Sequence, residues 1–161
     1  MNVNINSPIE SNRSKGMPRS VASGNALDAR QLKLLKHLPE FESRIVVKKR
    51  DVSMRDLAAL TAYTGVEFAL FTRNNERLII RGDIEHVEID DIDATMLNQE
   101  GYRWSGHTHV GASNIDLVPS DGDFRILACF LQDYSAIYNS VGDNAKFKKV
   151  VKYGRDNAKS N

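Results

Sequence analysis

YRWSGHTHV, residues 102–110, followed by SDGDFRILACFLQ, residues 120–132, is the stretch on which the fold turns. The first segment reads as a strand and the second as a helix opening at Ser120. Between them GASNIDLVP forms a polar loop. Downstream, SAIYNSV (135–141) and KFKKVVKY (146–153) read as two more strands. Upstream, VEFALFTR and RLIIRGD flank the polar turn Asn74-Asn75-Glu76 and predict a hairpin.

Further out, SRIVVKKRDV (43–52) is β-branched and strand-like. Ser53 followed by Asp56 resembles a capping box for the helix MRDLAALTAYTG, which Gly65 closes. ALDARQLKLLKHL (26–38) has helical spacing of apolar residues and stops before Pro39, leaving His37 as a charge at the helix end. Residues 83–100 carry seven acidic side chains and no Lys or Arg, which predicts a solvated connection with a short helix near ATMLNQ. The element order is that of an α/β domain, a mixed β-sheet packed with helices.

Residues 1–26, rich in Ser, Asn and Gly, are expected to form a flexible leader, and 154–161 a polar tail, leaving 27–153 as one domain. The 161 residues, 41% hydrophobic and 27% charged, suffice for one core. Twenty-two basic against 21 acidic residues give a net charge of +1, which is no footprint for nucleic acid or an anionic membrane. The single cysteine, Cys129, lies in the apolar run ILACFL and reads as core packing. It excludes an internal disulfide and a Cys-rich zinc site, so any metal must use His and carboxylate ligands. Without a long apolar run or a signal-peptide core the chain reads as soluble, cytoplasmic or exported by a specialised route.

His107 and His109 are two apart in a strand, so both imidazoles share a face and can meet one ion. A bare His-x-His pair is common and decides nothing by itself. Asp123 falls in the first turn of the following helix with Ser120 as N-cap. It can supply a third ligand, leaving a position open for water; its bland alternative is a capping box. Glu67 interrupts the apolar strand run VEFALF, where a charge needs a partner. There it reads either as a general base or as a solvent-facing edge residue. Tyr102, Trp104 and Tyr134 read as core or rim aromatics, and His86 in the acidic connection has no evident partner.

Glu67, His107-Thr108-His109 and Ser120-Asp121-Gly122-Asp123 together resemble the Glu…His-x-His…Ser-x-x-Asp signature of the JAB/MPN (JAMM) metallopeptidases. The wording over residues 40–147 looks like the JAB-type domains of bacterial polymorphic toxins, Rhs-type proteins included. The resemblance implies a cytidine-deaminase-like layered architecture and a Zn2+ cofactor held by His107, His109 and Asp123. It also implies Glu67 as activator of the water, Ser120 as stabiliser of the oxyanion, and hydrolysis of a peptide or isopeptide bond, in a ubiquitin-like conjugate or other protein. A parent toxin chain or an immunity protein would be its partners. Val110 stands where the family has proline, and the loop from His109 to Ser120 is longer than usual, so Asp121 and Asp116 stand as alternatives to Asp123. The rival expectations are a catalytically silent MPN-like protein-binding module and a metal-dependent nuclease toxin. A zinc deaminase is disfavoured by the absence of its His-x-Glu and Pro-Cys-x-x-Cys patterns.

Overall fold

A computed structural model of the chain describes residues 2–3, 26–87 and 89–150. Most of the expected leader and the whole polar tail lie outside these residues. Helix α1 (Ala29–Lys36) starts later than its apolar spacing implied, because Asp28 and Gln31 form a reciprocal capping box, and it ends at His37 as C-cap. Strand β2 (Arg44–Lys48) gives way to a short 3-10 turn at Lys49–Asp51 before helix α2 (Met54–Thr64), which Gly65 terminates in the left-handed conformation.

The hairpin consists of β3 (Phe68–Arg73) and β4 (Glu76–Arg81). Its turn is two residues, Asn74 and Asn75, with Asn74 at φ 53°; Glu76 belongs to β4 and pairs with Arg73. Glu67 precedes β3 instead of lying inside it. Helix α3 (Asp91–Gln99) occupies the acidic connection with Asp90 as N-cap. Strand β5 (Arg103–Thr108), the 3-10 turn Asn114–Leu117, helix α4 (Asp121–Cys129) and strands β6 (Tyr134–Tyr138) and β7 (Asn144–Lys148) complete the described chain.

Within the expected leader, Asn2–Val3 forms β1, a two-residue edge strand parallel to β2. The sheet order is β1-β2-β4-β3-β5-β6-β7. Pairing is parallel at β1/β2 and β5/β6 and antiparallel elsewhere, so the sheet is mixed. The parallel β5/β6 pair requires a crossover, and α4 supplies it.

Both faces of the sheet are covered, which explains why β3 is apolar and buried from Phe68 to Phe71 instead of alternating. Leu34 of α1 and Leu57 and Leu60 of α2 pack on Ile45, Val47, Phe68, Leu70 and Ile79. On the opposite face Ala94 and Leu97 of α3 and Ile126 and Leu127 of α4 pack on Ala69, Phe71, Leu78, Ile80 and Trp104. The three layers are therefore helices, sheet, helices. No described helix is long and apolar enough to cross a membrane.

The first layer is tied by an ion pair that the sequence patterning does not announce. Arg30 of α1, 1% exposed, donates to both carboxylate oxygens of Asp56 in α2 (3.0 and 2.6 Å), and Gln31 donates to the same group (3.0 Å). Asp56 also accepts the Ser53 N–H at 2.8 Å, so the residue expected only to cap α2 anchors α1 as well. A buried guanidinium without its counter-charge is strongly destabilising. Asp56→Ala is expected to lower stability by about 3–5 kcal/mol in urea titration, with an unchanged denaturant slope. A loss under about 1 kcal/mol would show that Arg30 does not depend on Asp56.

Candidate metal centre

The site forms where β3 begins, β5 ends and α4 opens. Antiparallel pairing of Ala69 with His107 sets the start of β3 beside the end of β5. The Thr108 hydroxyl accepts the Phe68 N–H at 2.9 Å and is bonded to the Thr61 hydroxyl of α2. Glu67 is held through its backbone by Asp83 O and Gly82 N–H, at 2.8 and 2.7 Å. His109 lies just beyond β5, its N–H donating to Tyr138 O of β6 at 2.9 Å.

Side-chain alternation then does what the period of two predicts: His107 and His109 face one side and Thr108 the other. Their Nε2 atoms approach to 3.0 Å. Asp123 completes the group, with Oδ1 3.1 Å from His107 Nε2 and Oδ2 3.4 Å from His109 Nε2. Among the described residues, Glu67, His107 and His109 offer ligand atoms that all lie within 4.8 Å of one another, a cluster able to hold a metal ion.

Imidazole nitrogens and a carboxylate are donors of the type that zinc accepts. A tetrahedral ion with bonds of about 2.0–2.1 Å has ligand atoms about 3.3–3.4 Å apart. The two Nε2 atoms are 3.0 Å apart, and each meets a different Asp123 oxygen at 3.1 or 3.4 Å, near that spacing. His109 Nδ1 lies 2.8 Å from the Asp116 carbonyl, so Nδ1 carries the proton and directs Nε2 to the other three groups.

The alternatives to Asp123 are placed elsewhere. The Asp116 carboxylate accepts from Ser113 N–H and Oγ at 3.0 and 3.1 Å, capping its 3-10 turn, and Asp121 is exposed at the start of α4. Asp123 combines both of its expected roles. Its Oδ2 accepts the Ser120 N–H at 2.9 Å and its own N–H donates to Ser120 Oγ at 3.1 Å, while the carboxylate reaches the imidazoles. The longer loop folds into the turn that holds His109, leaving Asp123 in place.

Burial sets the electrostatics. Glu67, 5% exposed, is pushed up to about 8 by desolvation, with Asp123 adding to the rise and His109 opposing it. His107 is held below its ordinary value by burial, against the pull of Asp123. Burial acts against protonation of His109, but the hydrogen bond to Asp123 and the charge of Glu67 outweigh it and raise the imidazole. Burial likewise opposes ionisation of Asp123, yet hydrogen bonds from both imidazoles hold it well below the usual carboxylate range.

Several supporting groups carry no sequence motif. A β-bulge in the β3/β5 ladder, where Leu70 pairs with Gly106 and Phe71 with Trp104, leaves Ser105 as an extra residue. It puts Trp104 on the same face as His107, and their rings stack at 5.0 Å. Tyr102 and Trp104 are core residues, Tyr134 is half exposed, and Cys129 is partly buried against the core. His86 does have a partner, its Nδ1 lying 3.4 Å from Asp83.

Gly111 has φ +124°, and a Cβ there would collide with the Asp116 carboxylate. Gly111→Ala is therefore expected to displace the turn holding His109, and, if the cluster takes up added zinc, to weaken that uptake about 10- to 100-fold in competition with a chromophoric chelator. Unchanged affinity would show that the Asp116 turn does not orient the ligand. No family model matches the chain, nor does any curated protein or solved structure.

Proposed function

We propose that this chain is a zinc-dependent peptide or isopeptide hydrolase of the JAB/MPN (JAMM) type, acting as a bacterial toxin or effector domain. The observation that carries the reading is the meeting of three separate segments: His107, His109 and Asp123 approach one another at 3.0–3.4 Å, and Glu67 lies within 4.8 Å of both histidines. His107, His109 and Asp123 would hold the ion. Bound zinc supplies Lewis acidity, polarising a carbonyl and lowering the pKa of water toward neutrality.

Glu67 takes up and returns the proton at its carboxylate. Burial raises the proton affinity of this carboxylate, which favours its taking up a proton. Ser120 stands at the N-cap of α4, where the helix dipole favours negative charge, and its hydroxyl helps hold the developing oxyanion. The toxin or effector setting, with a parent chain or an immunity protein as partner, rests on the resemblance alone.

Charge placement weighs against the nuclease alternative. Lys49, Arg73, Arg77, Arg103 and Lys146 line a hollow at the far ends of β3 and β5, away from His107. The pocket beside His107 is lined by Asp90 and Asp123 with one Arg, Arg125, which pairs with Asp91 at 2.7 Å. A phosphate backbone would meet its positive charge at the wrong end.

Glu67→Gln is expected to keep its zinc, counted by mass spectrometry, while turnover of peptides or ubiquitin-like conjugates falls at least about 100-fold. His109→Ala is expected to lose both metal and turnover. Unchanged turnover in both variants, or a folded protein that contains no zinc, would sink the proposal.

A further inference from the structure

A pocket of about 350 Å³ opens beside His107, Ser120 and Asp123, continuous with the candidate metal centre. Its walls are the hydrophobic core itself: Ala69 and Phe71 of β3, Trp104 of β5, Ile126 of α4 and Ile89 before α3, all less than a tenth exposed. Such walls are held by packing on every other side and do not adjust to their occupant. The volume lies at the small end of ligand sites, about 300–1,000 Å³, and suits one side chain with its backbone.

The polar groups of the pocket are used elsewhere or are reactive. Asp123 serves the imidazoles, and Arg125 is paired with Asp91. Asp90 caps α3, its carboxylate accepting the Asp93 N–H at 2.7 Å, and the apolar walls Ala69, Phe71, Ile89, Trp104 and Ile126 offer no charge to a Lys, Arg or carboxylate side chain. Glycine would leave that part empty and forgo the burial of apolar surface.

We propose that this pocket receives a large apolar side chain, aliphatic or aromatic, from the residue flanking the scissile bond. The substrate is then a peptide cut beside such a residue, in place of the glycine-ended tail of a ubiquitin-like conjugate. This rests on the hydrolase reading above for the scissile bond, but the binding preference is a property of the pocket itself.

Gly122 gives a way to close the pocket without disturbing the core. It lies in the first turn of α4 and lines the pocket, and a Cβ there meets only Ser120 Oγ at 3.7 Å and Arg125 Nη1 at 3.8 Å. A leucine at this position is free to extend into the opening, and leucine is the better helix former. Trp104, the only tryptophan of the chain, reports occupancy through its fluorescence.

The test titrates the zinc-loaded full chain with the N-acetyl amides of phenylalanine, leucine and glycine, following Trp104 emission. The apolar amides are expected to bind at least about 10-fold more tightly than the glycine amide. Gly122→Leu is expected to remove that advantage while zinc content stays unchanged. In a peptide library, cleavage is expected beside Leu, Ile, Met or Phe. Apolar amides that bind in a protein that cuts no peptide would uphold the pocket and overturn the hydrolase reading. Equal binding of the glycine amide, or a preference that survives Gly122→Leu, would overturn the pocket assignment even if peptides are cut.

Discussion

The antiparallel pairing of β3 with β5 is the constraint on which the site depends. It sets the register Ala69 to His107, and the Thr108 hydroxyl locks the first amide of β3 across the strand end. That one ladder brings Glu67 within reach of both imidazoles although some 40 residues separate them in the chain. The parallel β5/β6 pair then obliges the chain to cross over through α4, and the opening of that helix carries Ser120 and Asp123 back to the same point.

Rigidity follows from the layers. The sheet strands that flank the site are covered by α4 on one face and held by α2 on the other, through Thr61 and Thr108. His109, just beyond the end of β5, is fixed instead by hydrogen bonds to Tyr138 and Asp116. Packing of this kind crowds two imidazoles and two carboxylates in little solvent. The opposed proton affinities of Glu67, His107, His109 and Asp123 are the result of that crowding.

The bulge at Ser105 couples the centre to the pocket. Without the extra residue, Trp104 and His107 would fall on opposite faces of the sheet. With it, Trp104 forms both the stacking partner of His107 and a wall of the pocket. The candidate centre and the pocket therefore share one aromatic surface.

Much of this was legible in the chain. The helices, the hairpin, the strand carrying the histidines and the cap at Ser120 follow from periodicity, turn residues and capping residues, because those are local effects of neighbouring backbone and side chains. The residue types of the site could also be named, since a charge in an apolar run and two imidazoles on one face are local anomalies. The burial of Arg30 against Asp56, the bulge that turns Trp104, the Asp116 turn beneath His109 and the approach of the Asp123 carboxylate to both imidazoles could not be read there. Each depends on which distant segments share a ladder or a layer, and a linear pattern records the face a residue points to but not the partner it meets across it.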